Sequence, residues 1–196
     1  MVILGLTGSI GMGKTSAAKM FRRLGVPVHD ADAAVHRLLG PGGAAVAQVE
    51  GAFPGVVKQG AVDRQELGRR VFGDPAALAR LEALLHPAVR RLALDFLKRQ
   101  ARRRQKLVVL DIPLLFETGG ERLCDATVVV SAPAAVQESR VLSRPGMTRQ
   151  RFQAILAQQM SDREKRRRAD HVVPNHGSLE DLERAVAEVL SELGAA

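Results

Sequence analysis

Three features are scarce or absent in this 196-residue chain, and each absence excludes a class of protein. A single cysteine, Cys124, permits neither an intrachain disulfide nor a thiolate zinc cluster, so we expect a cytoplasmic protein in which Cys124 packs in the core. The absence of Trp and Tyr, with only six Phe, leaves few of the stacking side chains that single-strand nucleic-acid binders use. No apolar run is long enough for a membrane span, and the first residues have no basic leader, so we expect neither a membrane helix nor an export signal.

Positive charge is in excess, with 29 Lys and Arg against 21 Asp and Glu and a net charge of +8. Such an excess suits nucleic acid, an acidic surface or a polyphosphate ligand. Two basic clusters, at residues 98–106 and 163–168, hold much of it. The first is typical of the solvated end of a helix, where cations interact favourably with the helix dipole. Since aromatic side chains are few, nucleic-acid binding is the weaker interpretation.

The most informative motif lies at residues 8–15, which read Gly-Ser-Ile-Gly-Met-Gly-Lys-Thr and fill every fixed position of the phosphate-loop pattern G-x-x-x-x-G-K-[ST]. Glycines let the backbone turn its N–H groups towards a phosphate, and the helix that follows adds its positive N-terminal end. In this pattern Lys14 reaches the terminal phosphates, and the Thr15 hydroxyl ligates a Mg²⁺ ion that bridges two of them. An apolar strand at residues 2–7 and a helix at 16–24 supply the required context. The motif predicts a nucleoside triphosphate bound with Mg²⁺.

Apolar runs alternate with helical patterns along the rest of the chain. Such runs are typical of a parallel sheet covered on both faces, and we expect further strands at residues 26–30, 107–111, 127–130 and 171–173. Residues 33 to about 104 carry helical patterns and no strand signal, with a kink or break expected at His86-Pro87. Helix caps are expected at Asp63, Asp74, Thr148 and Ser178. Together these patterns predict a doubly wound α/β domain.

A phosphate loop identifies a ligand but not a reaction. The chain has no Asn-Lys-x-Asp motif for guanine, no Asp-x-x-Gly switch motif and no Leu-Ser-Gly-Gly-Gln transporter signature. These absences disfavour a GTP switch and a transporter ATPase. An acid after the second strand, a helical insertion for an acceptor and arginines on late helices are the parts of a small-molecule kinase.

Five segments carry a more specific signal: 6–15, Asp30-Ala31-Asp32, Leu85-His86-Pro87, the run Asp-Ile-Pro-Leu-Leu-Phe-Glu at 111–117, and 169–177. In this order they closely resemble the dephospho-CoA kinase family over nearly the whole chain. The resemblance implies ATP-dependent phosphorylation of the ribose 3′-hydroxyl of dephospho-coenzyme A, the last step in making coenzyme A. It also implies one phosphate-loop kinase domain over 1–196, with a helical acceptor-binding region at about 33–104. Residues 138–168, approximately, form its expected lid segment.

The same resemblance implies roles for individual residues. Asp32 orients the acceptor hydroxyl and takes its proton, Lys14 and Arg140 act on the transferring phosphate, and Asp111 is a candidate acid near Mg²⁺ through water. Contacts to ATP are expected from Gly8, Gly11, Met12, Gly13, Lys14, Thr15, Ser16, Arg140 and Asn175. Contacts to dephospho-CoA are expected from Thr7, Asp32, His86 and Leu115.

Alternatives remain open for four of these residues and for the function. Asp32 is also placed to cap a helix, Asp111 to bond the turn at Pro113, and His86 to pack within its helix. Arg140 could instead lie on a solvated helix face. A second functional hypothesis is a phosphate-loop kinase for another small acceptor, such as a nucleotide. A third is an ATP-binding module that works on nucleic acid, which the basic clusters motivate.

Overall fold

The computed structural model describes residues 1–194. Its strands are β1 (Val2–Thr7), β2 (Val28–Asp30), β3 (Val57–Lys58), β4 (Ala61–Val62), β5 (Leu107–Asp111), β6 (Ala126–Ser131) and β7 (His171–Pro174). Its α-helices are α1 (Lys14–Arg23), α2 (Ala31–Leu39), α3 (Val46–Ala52), α4 (Arg64–Val71), α5 (Pro75–Arg102), α6 (Ala134–Leu142), α7 (Arg149–Ala157), α8 (Asp162–Arg168) and α9 (Leu179–Glu192). A short 3₁₀ helix covers Gly120–Leu123.

The chain forms two compact units. The first comprises Met1–His29 and the chain from Gln100 onward, and the second comprises Asp30–Arg99. The first unit contains the phosphate loop and most of the large sheet. The second unit contains most of residues 33 to about 104, the segment in which the sequence shows helical patterns and no strand signal.

The large sheet has five strands in the order β2-β5-β1-β6-β7. Strand β1 is parallel to both β5 and β6, and β6 is parallel to β7. Leu4, Val109 and Val128 have no exposed surface, and Phe21 of α1 and Val186 of α9 belong to the same core. Burial of both faces explains why these strands are apolar throughout rather than alternating. The predicted α/β fold with a parallel sheet is confirmed.

The second unit corrects two predictions. Strands β3 and β4 form a small antiparallel hairpin, whereas the sequence showed no strand signal in this segment. Its turn residues Gln59 and Gly60 both have positive φ, as a two-residue hairpin loop requires. Two strands of two residues each are too short to produce a detectable alternation.

The second correction concerns one of the two outcomes expected at His86-Pro87, a kink or a break: Pro87 lies inside α5, so the helix does not break there. Proline removes one helical hydrogen bond and disfavours the helical conformation. Leu81 and Leu85 before it, and Val89 and Leu92 after it, belong to or pack against one core cluster of this unit. Burial of this apolar stripe on both sides of Pro87 stabilises the continuous helix.

The predicted helix caps are confirmed. The side chains of Asp63, Asp74 and Thr148 accept backbone N–H bonds from the first turns of α4, α5 and α7. Ser178 and Asp181 form a reciprocal capping box at the start of α9. These caps were predictable because each depends on residues at most three positions apart.

Cys124 is half-buried beside the sheet, with its Sγ 3.7 Å from the Gly120 carbonyl oxygen. Burial, with smaller contributions from the Asp125 and Glu121 carboxylates, raises the pKa of this thiol to about 12. The group is therefore a neutral thiol at physiological pH, which suits packing rather than nucleophilic chemistry.

Candidate nucleotide site

The phosphate loop leaves the carboxyl end of β1 and leads directly into α1. Gly11 and Gly13 adopt φ values of 80° and 94°, in the left-handed region that favours glycine. A Cβ atom on Gly11 would lie 2.5 Å from Val141 Cγ2, and one on Gly13 would overlap the Asn175 amide. Both glycines are therefore required by backbone conformation and by close packing against later parts of the chain.

Lys14 is held by an ion pair that the sequence analysis did not anticipate. Its Nζ donates to Asp111 Oδ1 at 2.6 Å, and the Asp111 side chain is 4% exposed. Because β5 lies next to β1 in the sheet, Asp111 at the end of β5 reaches the first residue of α1. The ion pair keeps the ammonium group beside the phosphate loop.

Two residues from the last third of the chain close the other side of the loop. The Asn175 side-chain amide donates to the Met12 carbonyl oxygen at 2.8 Å. Arg140 Nη1 donates to the Asn175 carbonyl oxygen at 3.0 Å. The structure therefore brings Arg140 and Asn175, both predicted to contact ATP, to the predicted loop.

Helix α8 is tied to the sheet by buried polar contacts that were also missed. Lys165 has no exposed surface, and its Nζ lies 2.9 Å from Glu117 Oε1. The same oxygen accepts the Met160 N–H at 2.9 Å, and the Ser131 hydroxyl donates to Asp162 at 2.8 Å. Although α8 lies within the expected lid segment, these contacts join it to the segment after β5 and to the end of β6.

Comparison with known proteins identifies the family to which the chain belongs. The sequence profile of the dephospho-CoA kinase family matches residues 2–181. The chain belongs to the dephospho-CoA kinase family. These enzymes catalyse the final, ATP-dependent step of coenzyme A biosynthesis.

Individual relatives are similar to most of the chain. A dephospho-CoA kinase of Paramagnetospirillum magneticum is 68% identical over 85% of this chain and 78% of its own length. One of Mesorhizobium japonicum is 55% identical over 98% of this chain and 97% of its own. A crystal structure of a Thermus thermophilus protein superposes with a TM-score of 0.85 at 44% identity, covering 98% of this chain and 97% of that one.

Two residues expected to contact dephospho-CoA in this kinase family are interior in the structure. Thr7 has no exposed surface, and its hydroxyl donates to the Pro113 carbonyl oxygen at 2.9 Å. Leu115 also has no exposed surface, and a Cβ on Gly5 would lie 2.9 Å from its Cδ2. In this conformation their side chains pack against and brace the segment after β5.

Within the second unit, the acids after β2 have separate roles. Asp30 caps α2 by accepting the Ala33 N–H at 2.9 Å. Asp32 lies in the first turn of α2 and is exposed, and its carboxylate has no hydrogen-bond partner among residues 1–194. Asp30, and not Asp32, is therefore the residue that caps α2.

The side chain of His86 is exposed on α5. This exposure does not agree with the alternative interpretation of His86 as a histidine packed within its helix.

The second unit also contains an open groove of about 600 Å³ between α3 and α5. The residues that line it include Arg80, Arg91, Gln48, Leu84 and Pro87. The lining therefore combines two basic residues with apolar ones.

Among residues 1–194, no helix is both long and apolar enough to cross a membrane.

Arg140→Ala is expected to lower kcat/KM for ATP by about 10²–10³-fold, because it removes a cation beside the phosphate loop. Steady-state kinetics with ATP as the varied substrate measures this effect. Arg144→Ala is the matched control, since Arg144 follows on the same segment and is exposed. Equal effects of the two substitutions would show that Arg140 has no special role.

Proposed function

We propose that this chain transfers the γ-phosphoryl group of ATP to the ribose 3′-hydroxyl of dephospho-coenzyme A, giving coenzyme A and ADP. The observation that carries the proposal is the complete phosphate loop with Lys14, Arg140 and Asn175 gathered around it in a member of the dephospho-CoA kinase family. The single cysteine supports a cytoplasmic setting for the reaction.

On the donor side, the loop N–H groups and the N-terminus of α1 are proposed to bind the phosphates of ATP. When ATP binds, its phosphates compete with Asp111 for the Lys14 ammonium group. The ammonium group then pairs with phosphate in place of the carboxylate, so it has an anionic partner in both states. Arg140 supplies a second positive charge against the charge that develops on the transferring group.

Magnesium fits the oxygen groups at this site. Thr15 presents a hydroxyl in the first turn of α1, and Asp111 lies at the adjacent strand end. Both are hard oxygen donors of the kind Mg²⁺ prefers, directly or through water. When bound, Mg²⁺ would neutralise part of the negative charge of the phosphates. The other ligands in this proposal are phosphate oxygens and water, because residues 1–194 contain no cluster of three or more His, Cys, Asp or Glu placed to hold a metal.

On the acceptor side, Asp32 is proposed to receive the proton of the 3′-hydroxyl. The hydroxyl oxygen forms a bond to the γ-phosphorus while the bond from the γ-phosphorus to the bridging oxygen of ADP breaks. The proton passes to the Asp32 carboxylate, whose exposure and lack of a capping partner leave it available. Because the transition state is usually loose, orientation of the hydroxyl matters more than early proton removal.

We also assign the groove between α3 and α5 to the remainder of the acceptor. Arg80 and Arg91 suit its diphosphate, and the apolar lining residues suit its pantetheine arm. Adenosine lacks both parts. The proposal therefore requires dephospho-CoA to be a much better acceptor than adenosine.

The test is incubation of the purified chain with Mg²⁺, ATP and dephospho-CoA, followed by mass spectrometry for coenzyme A. We expect one phosphoryl group on the product, removable by a 3′-nucleotidase. Parallel reactions with adenosine and with simple nucleotides test the other small acceptors. Phosphorylation of one of those acceptors, with dephospho-CoA left unchanged, would establish the second functional hypothesis instead. Salt-dependent retention on DNA or RNA without phosphorylation would favour the third.

A further inference from the structure

Ile10 occupies a variable position of the phosphate loop, yet both polar groups of its backbone are held by glutamine side chains. Its carbonyl oxygen accepts a hydrogen bond from Gln137 Nε2 at 2.7 Å. Its N–H donates to Gln159 Oε1 at 3.0 Å. Gln137 lies in α6, and Gln159 lies two residues beyond α7. One residue of the loop is thus bonded by α6 and by the turn that follows α7.

This arrangement is not required for phosphate binding by the loop itself. An N–H that donates to a glutamine oxygen is not free to donate to a phosphate, so the Ile10 backbone serves as an attachment point. Gln137 is 6% exposed, and a buried hydrogen bond of this kind is costly to leave unmade. The two bonds therefore resist sliding of α6 and of the end of α7 relative to the loop.

The bond from Gln137 bears directly on Arg140. The two residues are three positions apart in α6 and so lie on one face of the helix. Arg140 Nη1 lies 3.7 Å from the position of a Cβ on Gly13. A rotation or shift of α6 would move Arg140 and break the bond from Gln137 to Ile10 together.

The bond from Gln159 is braced in the same way. The next residue, Met160, donates its N–H to Glu117, which also binds the buried Lys165. The backbone next to Gln159 is therefore held in place just before α8 begins. Through its side chain, Gln159 connects this segment to the phosphate loop.

We propose that Gln137 and Gln159 are positioning residues, which hold the phosphate loop and the arginine-bearing helix α6 in one register so that the bound phosphates meet Arg140. The inference rests on the proposed function for the identity of the acceptor, but its geometry concerns the nucleotide alone. Neither side chain acts on the reacting atoms.

The opposite directions of the two hydrogen bonds allow a matched test. Gln137 acts as a donor, so Gln137→Glu loses the bond because a carboxylate has no proton to give. Gln159 acts as an acceptor, so Gln159→Glu keeps its bond. Both substitutions bring one negative charge to the same residue of the loop, which makes each the charge control of the other.

We expect Gln137→Glu to lower kcat about 10–10²-fold further than Gln159→Glu, since small misplacements of a catalytic group have effects of this order. Gln159→Met removes the second bond without adding charge, and we expect its kcat to fall below that of Gln159→Glu. Thermal unfolding of each variant verifies that it is folded.

A double-mutant cycle separates positioning from a general structural effect. Because Gln137 is proposed to act through Arg140, adding Gln137→Glu to Arg140→Ala should lower kcat by less than about twofold. Full additivity of the two substitutions would overturn the proposal, and so would equal kcat values for the two Glu variants.

Nucleotide affinity provides a readout that does not depend on the acceptor. We expect the dissociation constant for ADP, measured by calorimetry, to be at least about threefold higher for Gln137→Glu than for Gln159→Glu. Only the first variant loses its hydrogen bond to Ile10, so only in that variant is the phosphate loop less well ordered. Equal ADP affinities of the two variants would contradict the proposed positioning role of Gln137. If the wild-type chain binds ADP but leaves dephospho-CoA unchanged, the proposed function fails, and this comparison still decides the inference.

Discussion

Asp32→Asn is expected to lower kcat with dephospho-CoA by about 10²–10⁴-fold, the range typical of removing a general base. Asparagine has nearly the same shape as aspartate but cannot accept the proton of the 3′-hydroxyl. Because Asp32 is proposed to act on the acceptor hydroxyl and not on the nucleotide, we expect the dissociation constant for ATP, measured by calorimetry, to change by less than about twofold.

Asp30→Asn is the matched control for this prediction. It removes the same charge two residues earlier, and asparagine caps a helix about as well as aspartate. The cap on α2 through the Ala33 N–H should therefore persist. Comparable losses of kcat in the two variants would mean that the charge near α2, and not proton acceptance by Asp32, is what the reaction needs.

The second large effect is expected on stability. Glu117→Leu leaves the fully buried Lys165 without its carboxylate partner. Breaking a buried pair on one side typically costs about 3–5 kcal/mol. For a chain of this size we expect Tm to fall by about 6–20 °C, as measured by differential scanning calorimetry.

Two further variants identify the cause of that loss. Glu117→Leu with Lys165→Met replaces the pair by apolar groups and should recover most of the free energy of unfolding. Arg23→Met breaks the exposed pair with Glu183 in the same unit, and should cost no more than about 1 kcal/mol. A double variant as unstable as Glu117→Leu alone would show that an unpaired Lys165 is not the source of the loss.

Much of the fold followed from local patterns. The strand before the phosphate loop, the apolar parallel strands and the caps at Asp63, Asp74, Thr148 and Ser178 all depend on residues close together in sequence. The hairpin at residues 57–62 was missed because its strands are too short to show a period. At Pro87 the sequence predicted a kink or a break, and the helix does not break there because packing outweighed the local preference of proline.

Prediction of the site was less complete. The loop motif identified Lys14 and Thr15, and the family resemblance added Arg140 and Asn175. The ion pair between Lys14 and Asp111 joins residues 97 positions apart, and no local pattern indicates it. The contacts of Thr7 and Leu115 with the acceptor, which the family resemblance implies, stay a prediction, whereas the burial of both side chains is a property of the packed structure.

By itself, the sequence determined the ligand class, the parallel α/β fold and the family of this protein, since a phosphate loop, apolar periodicity and helix caps are each written in contiguous residues. Only the tertiary structure decided which charges are paired and which polar groups surround the loop. Four residues reach the loop from separate parts of the chain: Asp111, Gln137, Gln159 and Asn175. Their positions follow from how the sheet and helices pack, because burial requires each polar group to find a partner wherever the fold places one.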